Sequence, residues 1–138
     1  MTQATQYGAR ARHSAQAYAN IGLETQVFSA SPEHLITLLL NGALAAMAKA
    51  RLHMQNNSID GRGAAISKAI EIVESGLRAS IDEDAGGEVA KSLIATYDMV
   101  IRSLLLANLN SDYDKLALAE RMLTDIREAW RMAADCGN

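Results

Sequence analysis

Apolar residues recur along this chain with the three- and four-residue spacing of amphipathic helices. The pattern predicts four long helices, over Ser31–Gln55, Asp60–Ile81, Glu88–Leu109 and around the seam Leu116–Ala133. Short polar or glycine-containing runs separate them and are typical of turns. Because short connections join antiparallel neighbours, we expect an all-α, antiparallel up-down four-helix bundle.

The start of the first long helix carries the strongest local signal. Ser31 is a good N-cap, Pro32 suits the first helical position, and Glu33 favours the positive end of the helix dipole. Upstream, residues 1–30 are expected to form a partly mobile N-terminal segment with a short additional helix near Ser14–Asn20. Residues 31–138 then form the bundle.

The first long helix has apolar residues on two faces when positions are placed at about 100° intervals. One broad arc is predicted to face the core and comprises Leu35, Ile36, Leu39, Leu40, Ala43, Met47, Ala50 and Met54. A second stripe on the opposite side comprises Leu38, Ala45 and Leu52, spaced by seven residues. A surface helix needs only one apolar face, so the second stripe suggests that a further element packs against it.

The third long helix repeats this arrangement. Its predicted core arc is Val89, Leu93, Ile94, Tyr97, Val100, Ile101, Leu104 and Leu105, and its second stripe is Met99 and Leu106. On the second helix, a weaker line is formed by Ala65, Ile72 and Ala79. In up-down order the second helix lies beside both neighbours, so these small residues could form the floor of a shallow groove between the two stripes.

Several side chains exposed in register suggest that something covers them. The chain's own N-terminal segment, a second copy in a homodimer, and a partner helix in the groove are all candidates. The alternative is that these are isolated exposed leucines, which are common on protein surfaces.

Composition narrows the function classes. The net charge is −3 with acids and bases interspersed, which argues against nucleic acid as the main partner. A single cysteine, Cys136, excludes an intrachain disulfide framework and fits a reducing, cytoplasmic setting. The N-terminus lacks the apolar core of a signal peptide. We expect a soluble protein without membrane insertion.

No catalytic or metal-binding constellation is predicted. No Glu has a His three residues later, so the di-iron bundle motif is absent. The acids that begin at Asp82 resemble a calcium loop, but Gly86 and Leu93 stand where that loop needs oxygen ligands. We therefore expect no enzyme, no cofactor and no metal.

Six stretches in order resemble the FliS family of flagellar export chaperones. They are AYANIGLETQ (17–26), SASPEHLITLLLNGA (29–43), ISKAIEIVESGLRASID (66–82), GGEVAKSL (86–93), YDMVIRSLLLANL (97–109) and MLTDIREAWRMA (122–133). The resemblance extends over about residues 16 to 134. Departures include Leu40, Asn41, Ser103 and Leu106, where the family often has other residue types.

The resemblance implies an antiparallel helical bundle in the cytosol that binds the C-terminal segment of flagellin. Such a chaperone prevents premature polymerisation and delivers flagellin to the flagellar type III export gate. It also implies that the N-terminal segment lies over part of the binding surface and takes part in docking at the gate, with Tyr18, Ile21 and Leu23 as the residues concerned.

Two hypotheses thus remain from the sequence. In the first, the stripes bind flagellin, and the groove comprises Leu38, Ala45, Leu52, Ala65, Ile72, Ala79, Met99 and Leu106. In the second, the protein is a self-associating structural or adaptor bundle, and the same stripes are a dimer interface.

Overall fold

A computed structural model describes residues 31–136 as helices joined by short connections. The helices are α1 (Pro32–Gln55), α2 (Ile59–Glu71), α3 (Glu83–Asn110) and α4 (Tyr113–Cys136). A π-helical segment, Ile72–Leu77, and a 3₁₀ turn, Arg78–Ser80, continue α2 without a break. The predicted all-α four-helix architecture is confirmed. The expected N-terminal segment, with its short helix and with Tyr18, Ile21 and Leu23, lies outside the described residues.

Side-chain caps define where the helices begin. The Ser31 hydroxyl accepts a hydrogen bond from the backbone N–H of His34 at 3.2 Å, as the sequence predicts. At α2 the cap is Ser58, whose hydroxyl accepts from the Gly61 N–H at 3.3 Å. The predicted cap, Asp60, instead lies in the first turn of α2, where its charge is favourable beside the helix N-terminus.

The predicted turn from Asp82 to Gly87 is wrong in extent, because α3 already begins at Glu83. The Asp82 carboxylate accepts hydrogen bonds from the N–H groups of Asp84 and Ala85, at 3.1 and 3.2 Å, and so caps a first helical turn. Gly87 interrupts that turn with φ 59° and ψ −139°, a conformation that glycine adopts most easily. The helix therefore has a kink near its start.

The four helices occupy the corners of a bundle. The main packing partners of α1 are α2 and α4, and α3 likewise packs against α2 and α4. Consequently α1 and α3 lie at diagonal corners. Between them lies one core, whose largest fully buried side chains are Leu39, Leu40, Met47, Ile66, Ile72, Val73, Leu77, Val100, Leu104, Leu116 and Leu123.

The predicted core arcs are largely confirmed, with two exceptions on α3. Val89 is 78% exposed and Leu105 is 54% exposed, although both were assigned to the core. Val89 lies on the same side of the kink at Gly87 as the rest of its arc, but it stands near the end of the bundle and lines the end of the core that is open to solvent. Leu105 lies at the outer edge of its arc, while Ser103 and Ala107 are buried in the core instead. The packed face of α3 is therefore rotated from the one that apolar spacing predicts.

The π-helical segment is a feature that the sequence pattern does not predict. It buries Ile72, Val73, Gly76 and Leu77. A Cβ atom at Gly76 would lie 3.0 Å from a Leu39 methyl group, which is closer than ordinary van der Waals contact. Gly76 thus allows the backbone of this segment to approach α1 closely, and the wider π turn brings Leu77 to the end of the core.

Polar contacts fix how the helices pair along their lengths. Arg62 donates to the side-chain and main-chain oxygens of Asn108, at 3.2 and 3.1 Å, where α2 begins and α3 ends. Arg78 forms an ion pair of 2.7 Å with Asp98 near the other end of the same pair. Between α1 and α4, Arg51 forms an ion pair with Glu120. Burial of the Glu120 carboxyl raises its pKa by more than the positive charge of Arg51 lowers it, so the pKa of Glu120 lies above its usual value.

Truncating Leu39 should be costly, whereas truncating an exposed leucine of the same helix should not. Leu39 is 0% exposed and contacts Gly76, so Leu39→Ala is expected to lower the free energy of unfolding by about 2–5 kcal/mol. Leu52 is 56% exposed, and Leu52→Ala should change it by at most ~0.5 kcal/mol. Urea denaturation measures both. Equal losses in the two variants would contradict this division of the faces of α1.

Candidate partner-binding cleft

An apolar cleft of about 580 Å³ opens at the end of the bundle where α1 and α3 begin and α2 and α4 end. We call it the end cleft. Its lining comes from α1, α3, α4 and the segment that follows α2: Ile36, Leu40, Leu77, Ser80, Ile81, Val89, Ser92, Leu93, Thr96, Tyr97, Ile126, Ala129, Trp130 and Ala133. This volume falls within the range of about 300–1,000 Å³ found for ligand sites. Among the described residues, none that lines the end cleft carries a charge.

The end cleft is a continuation of the core that is left open. Leu40, Leu77 and Tyr97 belong to the buried core and form its inner wall. Further out, Ile36, Leu93 and Ile126 are only partly buried. The kink at Gly87 precedes Val89, which stands exposed at the rim. An apolar concavity of this kind suits the apolar face of an amphipathic segment.

Trp130 forms part of the wall and is held by a hydrogen bond between two helices. Its indole Nε1–H donates to the Thr37 hydroxyl at 3.2 Å. The same hydroxyl donates to the carbonyl oxygen of Glu33 at 3.3 Å, one turn earlier on α1. Thr37 therefore joins α4 to the first turns of α1 and sets the position of the indole in the cleft.

Tyr97 is the other aromatic residue in the wall. It is 3% exposed, and burial raises the pKa of its phenol to about 12. The hydroxyls of Ser80 and Thr96 donate to the carbonyl oxygens of Leu77 and Ser92, at 2.8 and 2.9 Å. The Tyr97 hydroxyl, by contrast, has no hydrogen-bond partner among the described residues.

The stripe predicted on α1 lies on its outer face. Ala45 is exposed, Leu52 is 56% exposed and Leu38 is half-buried. On α3, Met99 is 56% exposed and Leu106 is half-buried. The two stripes are thus accessible in whole or in part.

The structure does not join the two stripes into one groove. Because α1 and α3 lie at diagonal corners, their outer faces point in different directions. Ala65 and Ile72, expected on the groove floor, are 9% and 1% exposed and pack in the core. Ala79 is half-buried in the 3₁₀ turn. Ala65 and Ile72 therefore do not form an exposed groove floor in this structure, and the binding role of the eight residues stays a prediction.

Three of the predicted residues do share a smaller concavity between α1 and α2. Ala45, Ala65 and Ile72 line this side cleft of about 140 Å³ together with Gly42, Ala46, Lys49 and Lys68. The side cleft forms because residues with little or no side chain stand where the two helices meet. Helical spacing placed Ala45, Ala65 and Ile72 on the second face of their helices. Which neighbouring helix they contact is determined by the packing of the bundle.

The sequence pattern did not single out the end cleft as a site. Ile36, Leu93, Ile126 and Trp130 follow the core periodicity and were assigned to the core. Apolar residues on the core face of a helix have the same spacing whether another element covers them or they line an open cleft. The pattern therefore holds no signal that distinguishes an open end of a core from a closed one.

Helix α1 is long and apolar enough to cross a membrane by length and composition. Six of its residues are nevertheless buried in the bundle, as in the core helix of a globular domain. Within residues 31–136, no group of His, Cys, Asp and Glu side chains is placed to hold a metal ion.

Comparison with known proteins places the chain in a family. The family model described as "Flagellar protein FliS" matches residues 14–136. The flagellar secretion chaperone FliS of Escherichia coli (strain K12) is 45% identical over 116 residues, which cover 84% of this chain and 85% of that protein. This chain belongs to the FliS family.

More distant members agree with this result. The flagellar secretion chaperone FliS of Salmonella typhimurium is 43% identical over 116 residues, with 84% of this chain and 86% of the relative covered. That of Bacillus subtilis is 30% identical over 110 residues, 80% of each chain. All three of these relatives are named flagellar secretion chaperones.

Removing the Thr37 hydroxyl should release Trp130. In Thr37→Val the indole N–H loses its acceptor and has to find water, so the emission maximum should shift to longer wavelength. Trp130 is the single tryptophan of the chain, so fluorescence reports on it alone. Thr37→Ser keeps the hydroxyl and should retain the original spectrum. An unshifted maximum in Thr37→Val would contradict the assigned role of Thr37.

Proposed function

We propose that this FliS family member is a cytoplasmic export chaperone that binds the C-terminal segment of flagellin. Binding prevents flagellin from polymerising too early and allows its delivery to the flagellar type III export apparatus. The observation that carries the proposal is the end cleft, an uncharged apolar concavity in a chain whose relatives are named flagellar secretion chaperones.

Exposed apolar surface at the rim of the end cleft supports this proposal. Val89, at the rim, is 78% exposed, and burial of one such side chain by a partner stabilises a complex by up to about 1.5–3 kcal/mol. Large contiguous apolar surfaces on soluble proteins mark sites of interaction. A segment that orders only when bound loses conformational entropy, which the burial of several anchors has to offset.

A flagellin segment longer than the end cleft would continue along the bundle. The stripe of Leu38, Ala45 and Leu52 and the residues Met99 and Leu106 remain the predicted contacts for that continuation. The side cleft at Ala65 and Ile72 offers a place where a helix of the partner could approach α1 and α2 closely. Docking at the export gate remains assigned to the N-terminal residues Tyr18, Ile21 and Leu23.

Flagellin should bind only when its C-terminal segment is intact. We expect calorimetric titration to give a saturable complex with full-length flagellin and none with flagellin that lacks its last ~40 residues, a length of ~60 Å if helical. Light scattering with and without flagellin gives the mass of the chaperone species, and so shows whether the chaperone forms a dimer that flagellin dissociates. Equal binding to both flagellins, or a tight dimer that flagellin leaves unchanged, would overturn the proposal in favour of a self-associating bundle.

A charge at the rim of the end cleft should weaken binding without unfolding the chaperone. In Val89→Asp the carboxylate would be buried against the docked segment, and we expect a loss of affinity of at least about tenfold. Because Val89 is 78% exposed, the melting temperature should change little.

Met132→Asp is the matched control for this variant. Met132 is 66% exposed and does not line the end cleft. The Met132→Asp variant should therefore bind flagellin with the affinity of the wild type. Equal affinities in Val89→Asp and wild type would show that flagellin does not dock in the end cleft.

A further inference from the structure

The Tyr97 hydroxyl is a polar group in an otherwise apolar wall. The side chain is 3% exposed, lines the end cleft, and makes no hydrogen bond to the described residues. The polar side-chain atoms sealed from solvent without a partner are, within residues 31–136, Arg51 Nε and Arg127 Nε. The Tyr97 oxygen is not among them, and the residue that carries it lines the end cleft.

Docking would cover this part of the cleft wall. A segment seated in the end cleft excludes water from the hydroxyl, and a hydroxyl buried without a partner costs free energy. Either the segment supplies an acceptor or Tyr97 opposes its binding. The two cases predict opposite effects of removing the oxygen, which makes the role of Tyr97 open to a direct test.

The geometry points to Tyr97 as a specificity-determining residue whose hydroxyl donates a hydrogen bond to an uncharged oxygen of the docked flagellin segment. This inference rests on the proposed function. The end cleft then recognises apolar side chains and one acceptor placed among them, and it discriminates against apolar segments without that acceptor. A site built around a hydrogen bond rejects ligands that leave the buried group unpaired more strongly than a purely apolar site does.

The acceptor is uncharged because of what surrounds it. Within residues 31–136, none of the side chains that line the end cleft is a lysine, arginine or histidine. A carboxylate beside Tyr97 would therefore be buried without a countercharge, which is far more costly than burial of a neutral group. A main-chain carbonyl near a helix C-terminus, where the last four lack intrahelical partners, or an Asn or Gln amide oxygen fits the site.

The phenol acts as the donor because it stays protonated. Burial raises its pKa to about 12, so at neutral pH it is uncharged and keeps its proton. The ring itself belongs to the core and packs with the inner wall of the cleft. Replacement by phenylalanine removes the oxygen and leaves that packing in place.

The decisive experiment is a titration of wild-type chaperone and Tyr97→Phe with a synthetic peptide of the last ~40 residues of the organism's own flagellin. We expect Tyr97→Phe to bind on the order of tenfold more weakly, because the peptide's acceptor is left unpaired. The melting temperature of the free variant should equal that of the wild type, since no internal hydrogen bond is lost.

Tyr113→Phe serves as the matched control. Tyr113 is 44% exposed at the start of α4, where Arg51 lies 5.4 Å above its ring, and it does not line the end cleft. Its variant makes the same chemical change outside the site and should bind the peptide as the wild type does.

The remaining outcomes separate the inference from the proposed function. Equal or tighter binding by Tyr97→Phe, with the wild type binding normally, would overturn the role of Tyr97 and leave the proposed function intact. A marked fall in the melting temperature of Tyr97→Phe would also overturn it, since the hydroxyl would then have a structural partner. Failure of the wild type to bind the peptide would overturn the proposed function and the inference with it.

Discussion

The packing of α1 against both α2 and α4 is the interaction on which the rest of the structure depends. Leu39 meets Gly76 on one side, where the π-helical segment approaches closely. On the other side Thr37 receives the hydrogen bond from Trp130. With α1 held between two neighbours, α3 takes the remaining corner, and its diagonal position separates the two outer stripes.

The same packing leaves one end of the core open. Near the connections between α1 and α2 and between α3 and α4, the contacts of Arg62 with Asn108 and of Arg51 with Glu120 tie the helices together. At the opposite end, the kink at Gly87 and the 3₁₀ turn at Arg78–Ser80 end the regular packing. Core side chains there form an apolar wall that no other part of residues 31–136 covers. We propose that a partner segment packs against this wall.

Affinity and specificity at the end cleft would come from different groups. The apolar wall supplies affinity to any segment with suitable side chains, and alone it would discriminate little among them. Polar groups that bind the segment would add the discrimination, and we propose this role for the Tyr97 hydroxyl, which makes no hydrogen bond within residues 31–136. A rigid wall also limits the entropy lost on binding to that of the incoming segment. The hydrogen bond from Trp130 to Thr37 contributes to that rigidity.

The sequence by itself determined the four helices, the cap at Ser31 and most of the core, because these follow from spacing and side-chain chemistry within single helices. Its resemblance to the FliS family was also readable from motifs in order. Only the tertiary structure decided that Ala65 and Ile72 are buried, that Val89 is exposed, and that the core residues near Trp130 line an open cleft. Helical periodicity states which face of a helix is apolar, whereas the neighbouring helices determine whether that face is covered.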